Sequence, residues 1–472
     1  MRLKLISALA LLAAPALAQV PQSEYATRRA AFLSQLPDTA VAIVLGAAEP
    51  REDFISFFQT PRFWYLTGYL EPNASLLMVK HGAKSAVTLF VLPRDPARES
   101  WTGTRLGPSG AAALTGMTAL PASSFRAEVD SALAGARTLY VLGDLDASAT
   151  LSADDQFVAS LRRTHIGLQI VDAGNLEDSL RARHSDAELA LLRRAIAITV
   201  DAQRAVLHVV APGVGENEVQ ATIEYTFRKA GAERPGFSSI VGSGPNSTSL
   251  HYDKNDRTML AGELVVMDIG ASWRGYSADV TRTLPVSGVF TADQRALYQV
   301  VRDAQAAGER QAIVGAPSHL MSDSANAALA AGLAKLGLIE SADALYDAPT
   351  GGCSFPVAKG CRQLSLYYNH SLGHGIGLEV HDPGTWYYPP YKILAGAAFT
   401  IEPGLYVRGN ALDLLPDTPR NRALIARVRA VFERFKDTGV RIEDDYFATP
   451  GGVEWISRAP REIPELEAAM KR

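Results

Sequence analysis

Residues 263 to 284 hold two apolar β-like runs joined by a short turn, and no other segment constrains the chain as much. The first run, Glu263-Leu264-Val265-Val266-Met267-Asp268-Ile269-Gly270, reads as a strand that ends in a carboxylate, and Tyr276 to Leu284 reads as a second strand carrying Asp279. Trp273-Arg274-Gly275-Tyr276 supplies the turn. With Arg274 and Gly275 as its central residues, Asp268 falls opposite Thr281, and Asp279 lies two positions along that strand on the same face. Two carboxylates on one face of an apolar hairpin repel each other, and a divalent cation is the usual means of keeping both charged. Taken alone, the pair also fits two exposed strand acids.

A second cluster weighs against that plainer reading. His370-Ser371-Leu372-Gly373-His374-Gly375-Ile376-Gly377-Leu378-Glu379-Val380-His381-Asp382 places three of the nine histidines within twelve residues. Imidazole is both a favoured nitrogen ligand and a proton carrier near neutral pH. The interspersed glycines let backbone approach closely, and they do not form a phosphate loop because no Lys-Ser/Thr follows them. Two further acids stand in β-like settings, Glu402 after Phe399-Thr400-Ile401 and Glu443 after Val440-Arg441-Ile442. Four carboxylates and one neutral imidazole suit a pair of Mn, Co or Zn ions about 3.5–4 Å apart that activate a shared water.

The rest of the chain divides in two, as expected where 472 residues exceed what one compact core holds. From Val41 to Lys80 short β-like runs (Val41–Leu45, Trp64–Leu66, Ser75–Val79) alternate with turn residues, and Val87–Leu92 and Thr138–Leu142 continue the pattern with helical stretches between. Residues 19–175 therefore read as an α/β domain without a reactive cluster. Near residue 175 the chain passes to Ser185-Asp186-Ala187-Glu188, a capping box that starts a long helix with Leu189, Leu192, Ile196 and Val200 on one face and a stop at Pro212-Gly213. A second helix is expected around Glu218 to Arg228, ahead of the β-rich segment that holds the acids and histidines.

The order of these motifs resembles the pita-bread metallopeptidases, and most closely aminopeptidase P and prolidase. Phe63-Trp64-Tyr65-Leu66-Thr67-Gly68 with Glu71-Pro72, and Glu99-Ser100-Trp101-Thr102-Gly103, are similar to that family's N-terminal segment, and Leu180-Arg181 before the Ser185 helix resembles its entry into the catalytic domain. The resemblance implies a creatinase-like α/β domain over 19–175 and a pita-bread α+β catalytic domain over 176–472. It implies metal ligation of two divalent ions, manganese first with cobalt or zinc as alternatives, by Asp268, Asp279, His374, Glu402 and Glu443. Glu402 would also handle the proton of the attacking water, and His251 and His381 would hold the substrate carbonyl and shuttle protons. His370 and Arg441 would line the proline side of the cleft with Tyr406, for which simple packing is an equal reading. Trp101 is expected to be buried, the alternative being approach to an active site, its own or a neighbouring subunit's. The implied activity is removal of the N-terminal residue before proline from peptides. The alternatives are an Xaa-Pro dipeptidase of the prolidase type, or a metal-free creatinase-like or peptide-binding module.

The chain departs from the family's commoner spacing in three places. Residues 347 to 364 look like an insertion and hold both cysteines, Cys353 and Cys361. A second insertion lies between Gly404 and Arg441, where Thr418-Pro419 starts a helix with Leu424, Val428, Val431 and Phe435 on one face. Arg62 stands beside Phe63-Trp64 where relatives often carry an acid.

The N-terminus bounds the compartment. Met1-Arg2-Leu3-Lys4, an apolar run from Leu5 to Ala14, and Ala16-Leu17-Ala18 match a secretory signal over residues 1–18, so export to a periplasm or secretion is expected. In an oxidising compartment Cys353 and Cys361 are expected to pair. No other segment is long and apolar enough to cross a bilayer, and a formal charge of -4 argues against a nucleic-acid surface. A homo-oligomer is expected from the resemblance.

Overall fold

The computed structural model describes residues 20–52, 55–143, 145, 152–350, 352–387 and 389–471, so the leader expected at residues 1–18 lies outside the described residues. In the N-terminal part, six strands form one mixed sheet in the spatial order Thr118–Pro121, Lys84–Val91, Ser75–His81, Thr39–Leu45, Thr138–Val141, Gln169–Asp172. The side-chain period of two sends alternate residues to two different cores. Val41, Ile43, Leu77 and Phe90 pack under the helices Phe125–Leu133 and Ala153–Thr164. Ala40, Ala42, Val44, Leu76 and Met78 pack on the other face. That second core also takes in Leu191, Leu192, Ala195 and Ile196 of the long helix and Tyr276, Ile376 and Leu378 of the β-rich part. One apolar layer thus joins the sheet to the segment that carries the acids and histidines.

One expected strand is a helix. Trp64-Tyr65-Leu66 lies within Pro61–Thr67, which begins with Pro at its first position and ends at Gly68 in the left-handed region. The Asp186–Val206 helix has the expected capping box, Ser185 accepting from Glu188 N, but it ends at Val206, six residues before Pro212. The second helix spans Glu216–Lys229.

The hairpin has the expected register, with Asp268 paired to Thr281. Trp273 pairs with Tyr276 across Arg274 (φ 50°) and Gly275 (φ 82°), the positive φ at both central positions that a two-residue hairpin turn of this twist requires. A Cβ at position 275 would also lie 2.2 Å from the Trp64 ring, so this glycine lets the N-terminal helix dock on the hairpin. The strands are interrupted at Gly270 on one side and at Ala278-Asp279 on the other. A second, similarly broken pair is formed by Ala398–Ile401 with Asp444–Thr449 and by Gly404–Val407 with Thr438–Arg441. Glu402 and Glu443 sit at its two interruptions.

The two segments expected to be insertions pack on one another. The Pro419–Phe435 helix starts at Thr418 as expected, with Phe432 rather than Val431 completing its buried face. Thr418 Oγ1 donates to Asp347 Oδ2 at 2.6 Å, and Asn421 exchanges hydrogen bonds with the Asp347 backbone at 2.9 and 2.8 Å. Cys353 and Cys361 form a disulfide with Cα atoms 6.3 Å apart. No helix among the described residues is long and apolar enough to cross a membrane.

Candidate metal centre

The two broken strand pairs bring their carboxylates together around one histidine. His374 Nδ1 hydrogen-bonds the Gly375 carbonyl at 3.0 Å, which fixes the proton on Nδ1 and leaves the Nε2 lone pair free. Nε2 points between Asp279 Oδ2 and Glu402 Oε1, 3.5 Å from each. Asp279, His374 and Glu443 each offer a donor atom within 4.8 Å of the others, and all three are buried. Thr281 Oγ1 donates to Glu443 Oε2 at 2.6 Å, so the residue facing Asp268 across the hairpin also orients the carboxylate of the other strand pair.

Electrostatics show what this cluster would take. Burial pushes Asp279 well above the usual carboxylate range, and the charges of Glu443 and Asp268 push it further. Burial, then Glu443, does the same to Glu402, while Glu443 rises to about 8 through burial and Asp268. Asp268 Oδ1, Asp279 Oδ1 and Glu443 Oε1 are buried with no hydrogen-bond partner. Buried carboxylate oxygens that converge, repel and lack donors are cation ligands by chemistry, and all-oxygen donors with one imidazole fit Mn, Co or Zn. Asp279, His374 and Glu443 fit a divalent metal site, with Glu402 3.5 Å from His374 and Asp268 paired to Arg441 beside them.

On one flank a hydrogen-bonded chain sets the wall. Arg441 pairs with Asp268 and donates through Nη1 to the Tyr406 hydroxyl at 3.0 Å. Tyr406 in turn lies 2.9 Å from His370 Nε2, and His370 Nδ1 hydrogen-bonds the Ser371 carbonyl at 2.8 Å. Burial first and Arg441 second depress the His370 pKa to about 3 and keep it neutral, against the opposing pull of the Ser371 carbonyl. Tyr406 does more than pack, since its hydroxyl bridges Arg441 and His370. Phe355 of the disulfide-bearing insertion stacks on Tyr368, whose ring meets His370 edge-on at 4.7 Å, so that insertion reaches the same wall.

Two further histidines nearby, His251 and His381, are exposed. His381 lies with its ring 4.1 Å from that of His374, and its pKa is lowered by burial and by the nearby His251. Burial and then His381 lower the pKa of His374 to about 4. The His251 loop is anchored by Arg441 Nη2, which reaches the Leu250 carbonyl at 3.4 Å. Trp101 is 77% exposed on the N-terminal part, which corrects the expectation that it is buried. Arg62 pairs with Glu177 and Asp178 at 2.6 and 2.7 Å.

Some site residues were not singled out from the sequence. Thr400 Oγ1 accepts from His374 N at 3.2 Å, and Asp445 Oδ2 accepts from Asp279 N at 3.3 Å. In Glu443-Asp444-Asp445 the strand period of two carried a usable signal. Residues 443 and 445 face the centre, while Asp444 turns away to Arg282 and Arg461, each at 2.7 Å.

The fold and this cluster of buried acids around a histidine suit a metallopeptidase, and the chain belongs to metallopeptidase family M24, which it matches over residues 190–450, with an aminopeptidase P N-terminal domain matched over residues 25–140. It is 30% identical to the Xaa-Pro aminopeptidase of Haemophilus influenzae over 96% of this chain and 98% of that one. Against the Xaa-Pro aminopeptidase of Escherichia coli the figures are 29%, 97% and 100%. Among solved structures, an E. coli aminopeptidase P variant in complex with substrate superposes with a TM-score of 0.78 at 29% identity, covering 96% of this chain and 98% of that one.

Proposed function

We propose that this protein is an Xaa-Pro aminopeptidase, a two-metal hydrolase that removes the N-terminal residue preceding proline. The observation that carries the reading is the buried set of Asp279, His374 and Glu443, with unpartnered oxygens on Asp279 and Glu443, in a chain similar end to end to proteins of that name. Asp268, Asp279, His374, Glu402 and Glu443 would hold two ions, manganese in the first instance. When bound, these supply Lewis acidity that lowers the pKa of water and polarises a carbonyl.

The chain's own groups do the rest. Glu402 takes the proton from the attacking water and returns it to the proline nitrogen as the C–N bond breaks. His251 and His381, on the solvent side, hydrogen-bond the carbonyl oxygen as negative charge develops there, which is the interaction that strengthens in the transition state. His370, Tyr406 and Arg441 form the wall against the proline ring. A proline amide offers no N–H to ordinary peptidase contacts, so a site that recognises it by shape and acts on the carbonyl fits the substrate. Export through the 1–18 leader to a periplasm, or secretion, and assembly into a homo-oligomer belong to the same reading; the Cys353–Cys361 disulfide supports an oxidising compartment.

Turnover of an Xaa-Pro-Xaa tripeptide and of an Xaa-Pro dipeptide, each with added Mn, Co or Zn, tests the proposal. Preference for the tripeptide is expected, and strict dipeptide preference would make the protein a prolidase instead.

A further inference from the structure

His381 sits on an exposed loop, yet the residues on either side of it are tied down from across the molecule. Arg181, the last residue of the Gly174–Arg181 helix, is 2% exposed. Its Nη2 donates to two residues of this loop, Asp382 and, at 2.8 Å, Glu379. Asp382 Oδ1 also accepts from Glu379 N at 3.2 Å, and Asp382 N donates to the carbonyl of Gly375, the residue after the metal ligand His374, at 2.8 Å. A Cβ at position 377 would lie 2.2 Å from Asp382 Oδ2, so Gly377 is what lets the turn close over this carboxylate. Behind Arg181, the fully buried Glu177 approaches its Nε at 3.7 Å and accepts from Arg62 Nη1 at 2.6 Å.

Charges therefore alternate from Arg62 on the N-terminal helix Pro61–Thr67 through Glu177 and Arg181 to Asp382 and Glu379. Burying such an array carries a desolvation cost that well-packed apolar side chains would avoid, so stability is a poor account of it. One guanidinium nitrogen, Arg181 Nη2, shared between the Asp382 and Glu379 carboxylates ties two points of the loop to a single buried group.

We propose that the Arg62–Glu177–Arg181–Asp382 array is a positioning device for His381, by which the N-terminal domain holds that imidazole against His374 and over the reacting carbonyl. The inference rests on the reading of His381 as a group that contacts the substrate carbonyl. Arg181, Asp382 and Glu379 act through His381 and touch no substrate.

The test is a set of double-mutant cycles on the metal-loaded enzyme with an Xaa-Pro-Xaa tripeptide. Displacing a catalytic group by about 1 Å costs on the order of 10²-fold in rate, so Arg181→Met and Asp382→Asn should each lower kcat by about 30- to 100-fold. Glu379→Gln, at a half-exposed position with the second tether intact, should lower it by about fivefold. KM and bound metal should stay within about twofold, because the array does not touch the ligands or the proline wall. In a His381→Ala background each further substitution should cost less than about twofold, since the group being positioned is gone. Losses that multiply in that background would overturn the proposal, as would full kcat in both Glu379→Gln and Asp382→Asn. If Arg181→Met fails to fold, the cycle of Glu379→Gln with His381→Ala decides alone. A wild-type enzyme that cleaves no Xaa-Pro peptide would instead overturn the functional reading, and this inference with it.

Discussion

Thr281 Oγ1 donates a 2.6 Å hydrogen bond to Glu443 Oε2, and through it one strand pair orients a carboxylate that belongs to the other. Partners that orient metal ligands typically matter by about 10- to 100-fold in metal affinity when removed. Thr281→Val, which keeps the shape and deletes the donor, should weaken metal binding by about that factor while leaving the fold intact. Thr281→Ser should restore it. Metal titration of the two variants checks the claim, and equal affinity in Thr281→Val would show that Glu443 is held by other contacts.

How far the site could be read from the sequence depends on how local its determinants are. The Asp268–Thr281 register was legible because Arg274-Gly275 and the apolar runs on each side fix it within about twenty residues. Trp64-Tyr65-Leu66 misled because aromatic residues favour strands, and that preference outweighed the start and stop signals at Pro61 and Gly68. The exposure of Trp101 had no signal, since its short helix buries no residue and shows no periodicity. Arg181 and Asp382 meet across 201 positions, and neither period nor turn chemistry announces a contact of that range.

Phe355 links the disulfide-bearing insertion to Tyr368 and His370, so the disulfide should influence the proline side of the cleft. Closing a loop this short stabilises by about 2–3 kcal/mol in the chain-entropy account. The Cys353→Ser, Cys361→Ser double variant should melt several degrees lower, and it should raise KM for Xaa-Pro-Xaa peptides more than it lowers kcat. Thermal scans and steady-state kinetics check both parts. A large loss of kcat at unchanged KM would place the insertion's influence on the chemistry instead.

Metal uptake should release protons and grow stronger as pH rises. Without metal, burial and mutual repulsion hold Glu443 at about 8, above its ordinary 4.5, and keep Asp279 and Glu402 well above the usual range. A carboxyl raised on folding favours the folded state below its unfolded pKa, and that contribution is lost as pH climbs through the folded value. Chelated protein should therefore melt lower at about pH 8.5 than at about pH 5.5, and apparent metal affinity should rise over the same window because the ligands must be deprotonated. Calorimetric scans at both pH values, with proton release measured on metal addition, check this. A melting temperature of the chelated protein that climbs with pH would contradict it.

His381 should matter to the rate rather than to metal loading. Removing one donor to a developing oxyanion typically costs about 10²–10³-fold in kcat, so His381→Ala should lose activity on that scale with its bound metal unchanged. Metal analysis alongside kinetics separates the two. Loss of metal in this variant would make His381 a ligand and not an oxyanion donor.

The central claim is that Asp279 is among the residues that would hold two cations, and Asp279→Asn tests it most directly. The amide is nearly isosteric with the carboxylate but carries no negative charge to balance a cation. Activity with added Mn, Co and Zn should be measured together with bound-metal content and thermal unfolding of the metal-free protein. The account predicts a folded variant with little bound metal and no measurable Xaa-Pro cleavage. At about pH 8.5 its metal-free form should be no less stable than metal-free wild type, because one repelling charge is gone. Near-normal turnover and metal content in Asp279→Asn would contradict the two-metal assignment.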